Sequence, residues 1–253
     1  MSDITDLRGR WVLITGASRG IGKLAAACMA EHGCNLILHS RDLSHTKALE
    51  KELSANGVEV RSVAADLADQ DSVQKMLQDI DAMKVPVDVV LNNAGLQVAY
   101  RTEYLKTPAS DFTTSFSVNT ISPIMICYHF LPGMIERGFG RIVNTTSGIR
   151  LEPQQAGYSA SKAALDKVTI DLGSTLQGSN VTINLTDPGW CRTDLGGPKA
   201  PNDPKSAIPG YVVGAFINDH KSGRLMPAQD FAGMTLEDAV AKAEREYESP
   251  YGN

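Results

Sequence analysis

The sequence predicts an α/β fold: a doubly wound parallel sheet of about seven strands with helices on both faces. Three observations predict it. Short apolar runs of strand length alternate with longer helical stretches along the chain, the pattern of parallel strands joined by crossover helices. The first apolar run ends in a glycine-rich turn, Gly16-Ala-Ser-Arg-Gly20-Ile-Gly22, that opens a helix. No repeat, linker or low-complexity stretch divides the 253 residues. Residues 1–253 therefore read as one domain with a short C-terminal extension from about residue 235.

Residues 11–15, Trp-Val-Leu-Ile-Thr, form a buried first strand. After the glycine turn an alanine-rich helix runs to about His32, and Gly33 stops it. A second strand is expected at 35–39, a helix at 44–56, and a third strand at 58–64 that stops at Asp66. A helix at 69–83 cannot continue through Pro86, and 87–91 is a fourth buried strand. Then come Asn92-Asn-Ala-Gly95 and a polar loop. A long helix follows at 109–137, bent or interrupted by Pro123 and Pro132. A fifth strand at 141–145, a helix at 158–176 and a sixth strand at 181–185 come next. Asp187-Pro-Gly-Trp190 opens a Gly/Pro-rich segment to about Pro209. A helix at 210–219, a short strand at 224–227 and an exposed terminal helix at 235–247 complete the chain.

The net charge of -5 argues against nucleic acid as the main partner. Cys28, Cys34, Cys127 and Cys191 form no C-x-x-C pair and read as thiols of a reducing compartment. The five histidines show no ligand spacing, so no metal is expected. The N-terminal residues lack a basic region followed by an apolar run. The most apolar stretch, 121–135, is broken by two prolines and a histidine and is too short to span a bilayer. A cytoplasmic protein with no membrane partner is expected.

The chemistry concentrates between Ser147 and Lys162. Tyr158 and Lys162, at i and i+4, share one face of a helix. A phenol titrates near ~10 in water, and an ammonium beside it favours the phenolate. Such a group serves as a general acid or base near neutral pH. Ser147 adds a hydroxyl that holds a substrate oxygen. Alone, the pair equally suits a surface helix. The glycine turn alone suits either a nucleotide phosphate or close helix–sheet packing.

In one order along the chain stand Thr15-Gly-Ala-Ser-Arg-Gly-Ile-Gly22, Asn92-Asn-Ala-Gly95, Asn119, Ser147, Tyr158-x-x-x-Lys162, and Pro188-Gly189 with Thr193. That order resembles the short-chain dehydrogenase/reductase family in its single-domain form, over about residues 8–230. The resemblance implies a Rossmann-like sheet that binds a nicotinamide dinucleotide. Gly16, Gly20 and Gly22 would border its pyrophosphate, with Ser18, Arg19 and Ile21 completing the turn. Asp66 and Leu67 would contact the adenine, and Asn93, Ala94 and Gly95 the adenosine ribose side. Pro188, Gly189 and Thr193 would hold the nicotinamide end, and Lys162 the nicotinamide ribose. Tyr158 would be the acid/base, Ser147 would orient the substrate oxygen, and Lys162 would lower the Tyr158 pKa. Asn119 would hold a relay water. The segment between Ser147 and Tyr158 is shorter than in many members.

Ser40 ends the second strand where the family places a carboxylate for the ribose hydroxyls, and Arg41 follows it. With Arg19 in the turn, two guanidiniums would bind a 2′-phosphate. NADP(H) is the expected cofactor, with Asp42 as a competing partner for Arg41. The expected function is oxidoreduction between a small-molecule carbonyl compound and its alcohol. The alternatives are a catalytically silent cofactor sensor on the same fold and a lyase or epimerase on a longer relative of it. Arg150, Gln154 and Gln155 suit a polar or anionic substrate, with Trp190 as an apolar wall, unless Arg150 points to solvent or pairs with Glu152. Ile124, Ile126, Leu165, Val168 and Leu172 suggest helix faces that need cover, hence a homotetramer or homodimer.

Overall fold

Seven strands pair in parallel: β1 (Trp11–Ile14), β2 (Asn35–Ser40), β3 (Val60–Ala64), β4 (Val87–Asn92), β5 (Gly140–Thr145), β6 (Val181–Asp187) and β7 (Leu225–Pro227). Their order is β3-β2-β1-β4-β5-β6-β7. The chain winds outward in one direction from β1 and in the other from β4. The computed structural model describes residues 4–251.

Both faces of the sheet are covered, so the central strands are apolar without alternation. Val12, Ile14, Leu36, Leu38, Val89 and Val143 face one core. There they meet α1 (Gly20–Glu31), α2 (Lys47–Ser54), α7 (Val213–Phe216) and α8 (Leu236–Glu246). Leu13, Ile37, Val63, Val90, Ile142 and Ile183 face the other core. Its helices are α3 (Gln70–Asp81), α5 (Ser122–Arg137) and α6 (Ala156–Ser174).

Four expectations change. First, the helix at 109–137 is interrupted at neither proline. It runs as α4 (Ala109–Phe116), a wide π turn at Ser117–Ile121, and α5. Pro123 sits in the first turn of α5, where a missing N–H is tolerated, and the irregular turn carries Asn119. Second, the helix at 210–219 shrinks to α7, because carbonyls at its end have other partners. Phe216 O accepts from the Thr5 amide, and Ile217 O from the Thr5 hydroxyl and Arg141. Third, the terminal helix is not simply exposed: α8 buries Leu236, Ala239, Val240 and Ala243 against the first core. Fourth, Ile126 and Leu165 are buried within the protomer and need no outside cover.

The helical run Ala109–Arg137 is long and apolar enough by composition to cross a membrane, and 56% of its most apolar window is buried inside the protein. It is longer than the apolar stretch suggested because the π turn joins two helices into one path.

Candidate active site

Every residue expected in the site lies at or beyond the carboxyl ends of the strands or on the helices that follow. In a doubly wound sheet that edge, at the point where the winding reverses, is the binding crevice.

The turn after β1 is built for close approach. Gly16 and Gly20 have φ of +65° and +55°, a region costly for residues with a Cβ. A Cβ on Gly22 would lie 2.4 Å from the Gly16 carbonyl oxygen. Asn93 Nδ2 donates to the carbonyls of Thr15 (2.9 Å) and Gly16 (3.1 Å), and the Ala94 amide donates to Thr15 Oγ1 (3.0 Å). The first turn of α1 carries no acidic residue, and its N-cap Arg19 makes no side-chain cap. The helix therefore presents uncapped N–H groups, which suits a phosphate. Ser18 is half-buried on the turn, and Ile21 points into the core, so its part in the turn is played by backbone.

Sequence reasoning passed over His39. Its Nδ1 accepts from the Gly16 amide (3.1 Å), which puts the proton on Nε2, the donor to the Ala65 carbonyl (3.1 Å). Burial holds this imidazole down at about 4, so it stays neutral. It ties the glycine turn to β2 and β3.

At the end of β2, Ser40 is buried and donates to the Asp42 carbonyl (2.7 Å). Arg41 is exposed. Asp42 does not compete for it: the carboxylate accepts from the Ser44 amide (2.8 Å) and starts the next turn. Arg19 pairs with Asp194 (2.6 Å), both well exposed. Asp66 is exposed, and Leu67 is buried with its carbonyl accepting from the Ser122 hydroxyl (2.7 Å). Any contact from Leu67 to a base therefore comes from its backbone.

The chemical half lies on β5, α6 and β6. Tyr158 and Lys162 sit one turn apart on α6, both buried. Lys162 Nζ donates to the Thr145 carbonyl (2.7 Å). Burial pulls its ammonium down to about 8, against the opposing pull of Asp166 and Asp187. Burial holds the Tyr158 phenol above its ordinary value; the Ser147 hydroxyl works the other way, and Asp187 raises it further. The lowering by Lys162 expected from spacing is not what this geometry gives, because that ammonium is directed to Thr145. Thr145 Oγ1 pairs with the Tyr211 hydroxyl and Thr146 lies with Asp166, while the Ser147 hydroxyl stands beside Tyr158.

Asn119 is wholly buried. Its Oδ1 accepts from the Leu96 amide (2.8 Å), and its Nδ2 donates to the Leu96 carbonyl (2.8 Å) and Ser161 Oγ (3.0 Å). Both amide hydrogens are used, so the side chain is a strut between the loop after β4 and α6. A Cβ on Gly95 would lie 3.6 Å from Asn119 Oδ1 and 3.7 Å from Lys162 Nζ.

Beyond β6, Gln229 Nε2 donates to the Pro188 carbonyl (2.8 Å), and Gly189 has φ of +74°. Thr193 Oγ1 accepts from the Gly196 amide (3.1 Å). Its methyl would lie 3.4 Å from a Cβ on Gly20, so this loop reaches the glycine turn. Sequence reasoning also missed Gln229, Ser161 and the side chain of Asp187. Asp187 was visible as an acid before Pro-Gly, but turn residues of that kind are common.

The family model described as short chain dehydrogenase matches residues 10–204. An uncharacterized oxidoreductase of Mycobacterium bovis is 30% identical over 251 residues, which is 97% of this chain and 68% of that protein. The crystal structure of a metagenomic short-chain oxidoreductase in complex with NADP is 31% identical with a TM-score of 0.67, covering 74% of this chain and 86% of the other. That of a 3-oxoacyl (acyl-carrier-protein) reductase from Agrobacterium tumefaciens with NADP bound is 28% identical with a TM-score of 0.72, covering 94% and 90%. Matched along its strands, its glycine turn and its buried tyrosine–lysine helix, this chain belongs to the short-chain dehydrogenase/reductase family and is an oxidoreductase.

Proposed function

We propose that the protein is an NADP(H)-dependent reductase of a small carbonyl compound, with Tyr158 as the proton donor. One observation carries this reading. A phenol and an ammonium, both buried, converge with the Ser147 hydroxyl beside a turn open to a dinucleotide phosphate. The bound nicotinamide supplies the hydride in reduction and accepts it in oxidation.

The chain's own residues do the rest. Gly16, Gly20 and Gly22 admit the pyrophosphate to the N-terminus of α1. Arg41 and Arg19 take the 2′-phosphate, Arg19 by giving up its exposed pair with Asp194, a contact of small worth. Two related structures with NADP support this choice. Pro188, Gly189 and Thr193 line the nicotinamide end. Ser147 donates to the substrate oxygen and fixes its position. Tyr158 protonates that oxygen, and its raised pKa keeps the proton available at neutral pH. Lys162 holds positive charge under the phenol and keeps hydrogens for the ribose.

A silent cofactor sensor has no use for a desolvated lysine on the same helix as a buried phenol, and the glycine spacing Gly16-x-x-x-Gly20-x-Gly22 speaks against a lyase or epimerase. Arg150 is exposed on the loop after Ser147, which suits a substrate with a polar or anionic remote end. Gln155 is buried. Ile121, Tyr128 and Ile135 are exposed on the α4–α5 path, and Ile121 with Phe112 and Phe116 lines a groove of about 350 Å³. That face supports a homodimer or homotetramer, which light scattering would test. The four free, buried cysteines suit the cytoplasm.

The test is NADPH oxidation against a panel of ketones, aldehydes, sugars and 3-oxoacyl thioesters, repeated with NADH. Turnover of one class with NADPH preferred is expected. Equal efficiency with both cofactors overturns the assignment to NADP(H).

A further inference from the structure

We propose that Asp187 is a positioning residue of this active site: its carboxylate clamps the Ser147 loop to the Pro188–Gly189 loop and holds a negative charge beneath the reacting groups. The proposal rests on the reading of Tyr158 as the proton-transferring group.

The geometry starts with the sheet. β5 and β6 stay in register as far as Thr145 opposite Thr186, and the Thr146 amide still donates to the Thr186 carbonyl (2.8 Å). There the backbone ladder ends. One residue further the Asp187 side chain takes over its work. Oδ2 accepts from the Gly148 amide (2.8 Å) and Oδ1 from the Gly189 amide (2.9 Å). One carboxylate thus spans the residue after Ser147 and a residue expected at the nicotinamide end. Bonds from N–H groups to an ionised oxygen are stronger than neutral ones. The fit is close: a Cβ on Gly148 would lie 2.8 Å from Oδ2. An uncharged side chain cannot reproduce it, since an amide offers one oxygen to two donors.

The position also matters for charge. From α6, Tyr158, Lys162 and Asp166 face this carboxylate; from the loop after β6, Cys191 does; from the loop after β5, the Ser147 hydroxyl stands beside Tyr158. The negative charge raises both Tyr158 and Lys162, so it keeps the phenol protonated and offsets part of the burial of the ammonium. The first effect favours a proton donor over a base; the second keeps the ammonium charged.

Asp187→Asn removes the charge and, with it, one of the two clamp bonds. Asp187→Glu keeps the charge and disturbs the clamp. The Tyr158 titration is read in the cofactor-free protein by NMR of isotope-labelled tyrosine, with Tyr158→Phe to assign the signal. The pH profile of carbonyl reduction is read separately. Asp187→Asn is expected to lower the Tyr158 midpoint and to move the alkaline limb of reduction down with it. Asp187→Glu is expected to lose turnover about ten-fold or more, as misplaced groups do, with the midpoint near that of the wild type. An unmoved midpoint in Asp187→Asn overturns the charge role, and wild-type turnover in Asp187→Glu overturns the clamp. If Asp187→Asn does not fold, Gly148→Ala takes its place: unchanged turnover there also overturns the clamp. Survival of turnover in Tyr158→Phe would instead remove the underlying reading, and the cofactor-free titration is blind to that.

Discussion

The two ends of β5 each hold a buried cation, and the two are treated differently. At the amino end the Arg141 guanidinium uses four of its five N–H groups. It donates to the carbonyls of Ile217 (3.3 Å), Gly140 (2.9 Å) and Asn180 (2.7 Å) and to Asn180 Oδ1 (2.9 Å), and it stacks 4.6 Å from the Phe139 ring. At the carboxyl end Lys162 donates to one protein acceptor, the Thr145 carbonyl, among the described residues. A buried cation so fully partnered is structure. A buried ammonium with hydrogens to spare is desolvated at a cost that the fold alone does not recover. The difference supports the proposal that the chemistry sits at the carboxyl edge of the sheet.

Removing each cation should separate the two roles. Lys162→Met should lower turnover by ~10² or more, the usual contribution of an acid–base group and its partner, without lowering stability at neutral pH. The sign follows from the Lys162 pKa, held at about 8 against an ordinary 10.5. Between those values the unfolded chain binds more protons than the folded one, so wild-type stability rises with pH across that window, by roughly 3 kcal/mol. The Met variant should lack that rise, as urea denaturation on either side of the window would show. Arg141→Met should do the reverse. It leaves several buried acceptors unpaired, a loss of about 3–5 kcal/mol, with turnover per folded molecule within about two-fold of wild type. Equal stability of wild type and Arg141→Met would break the comparison.

A smaller effect sharpens it with an exposed cation. Arg41→Ala should weaken NADPH binding about ten-fold, the worth of one charge-assisted phosphate contact, and leave NADH binding and stability unchanged. Fluorescence titration with both cofactors reads this directly.

How much of this was legible in the sequence depended on where each constraint lies. The glycine turn was legible because Gly16, Gly20 and Gly22 answer local demands of backbone and contact. So was the strand order of burial, because both sheet faces are covered. The break in the helix at 109–137 was not, since its cause is tertiary. Asn119 is fixed by Leu96 and Ser161, and the prolines nearby misdirect. The spacing of Tyr158 and Lys162 showed a shared face but not that Lys162 would reach Thr145. Asp187 and His39 act through backbone amides of remote turns, and single side chains of that kind carry no spacing signal.

The central claim is that Tyr158 supplies the proton from a site that binds NADPH by other residues. Tyr158→Phe keeps the ring and removes the acid, so NADPH affinity and carbonyl turnover measured on the same preparation test it most directly. The account predicts unchanged NADPH affinity with turnover reduced by ~10² or more. Turnover within about three-fold of wild type, with NADPH still bound, would contradict it.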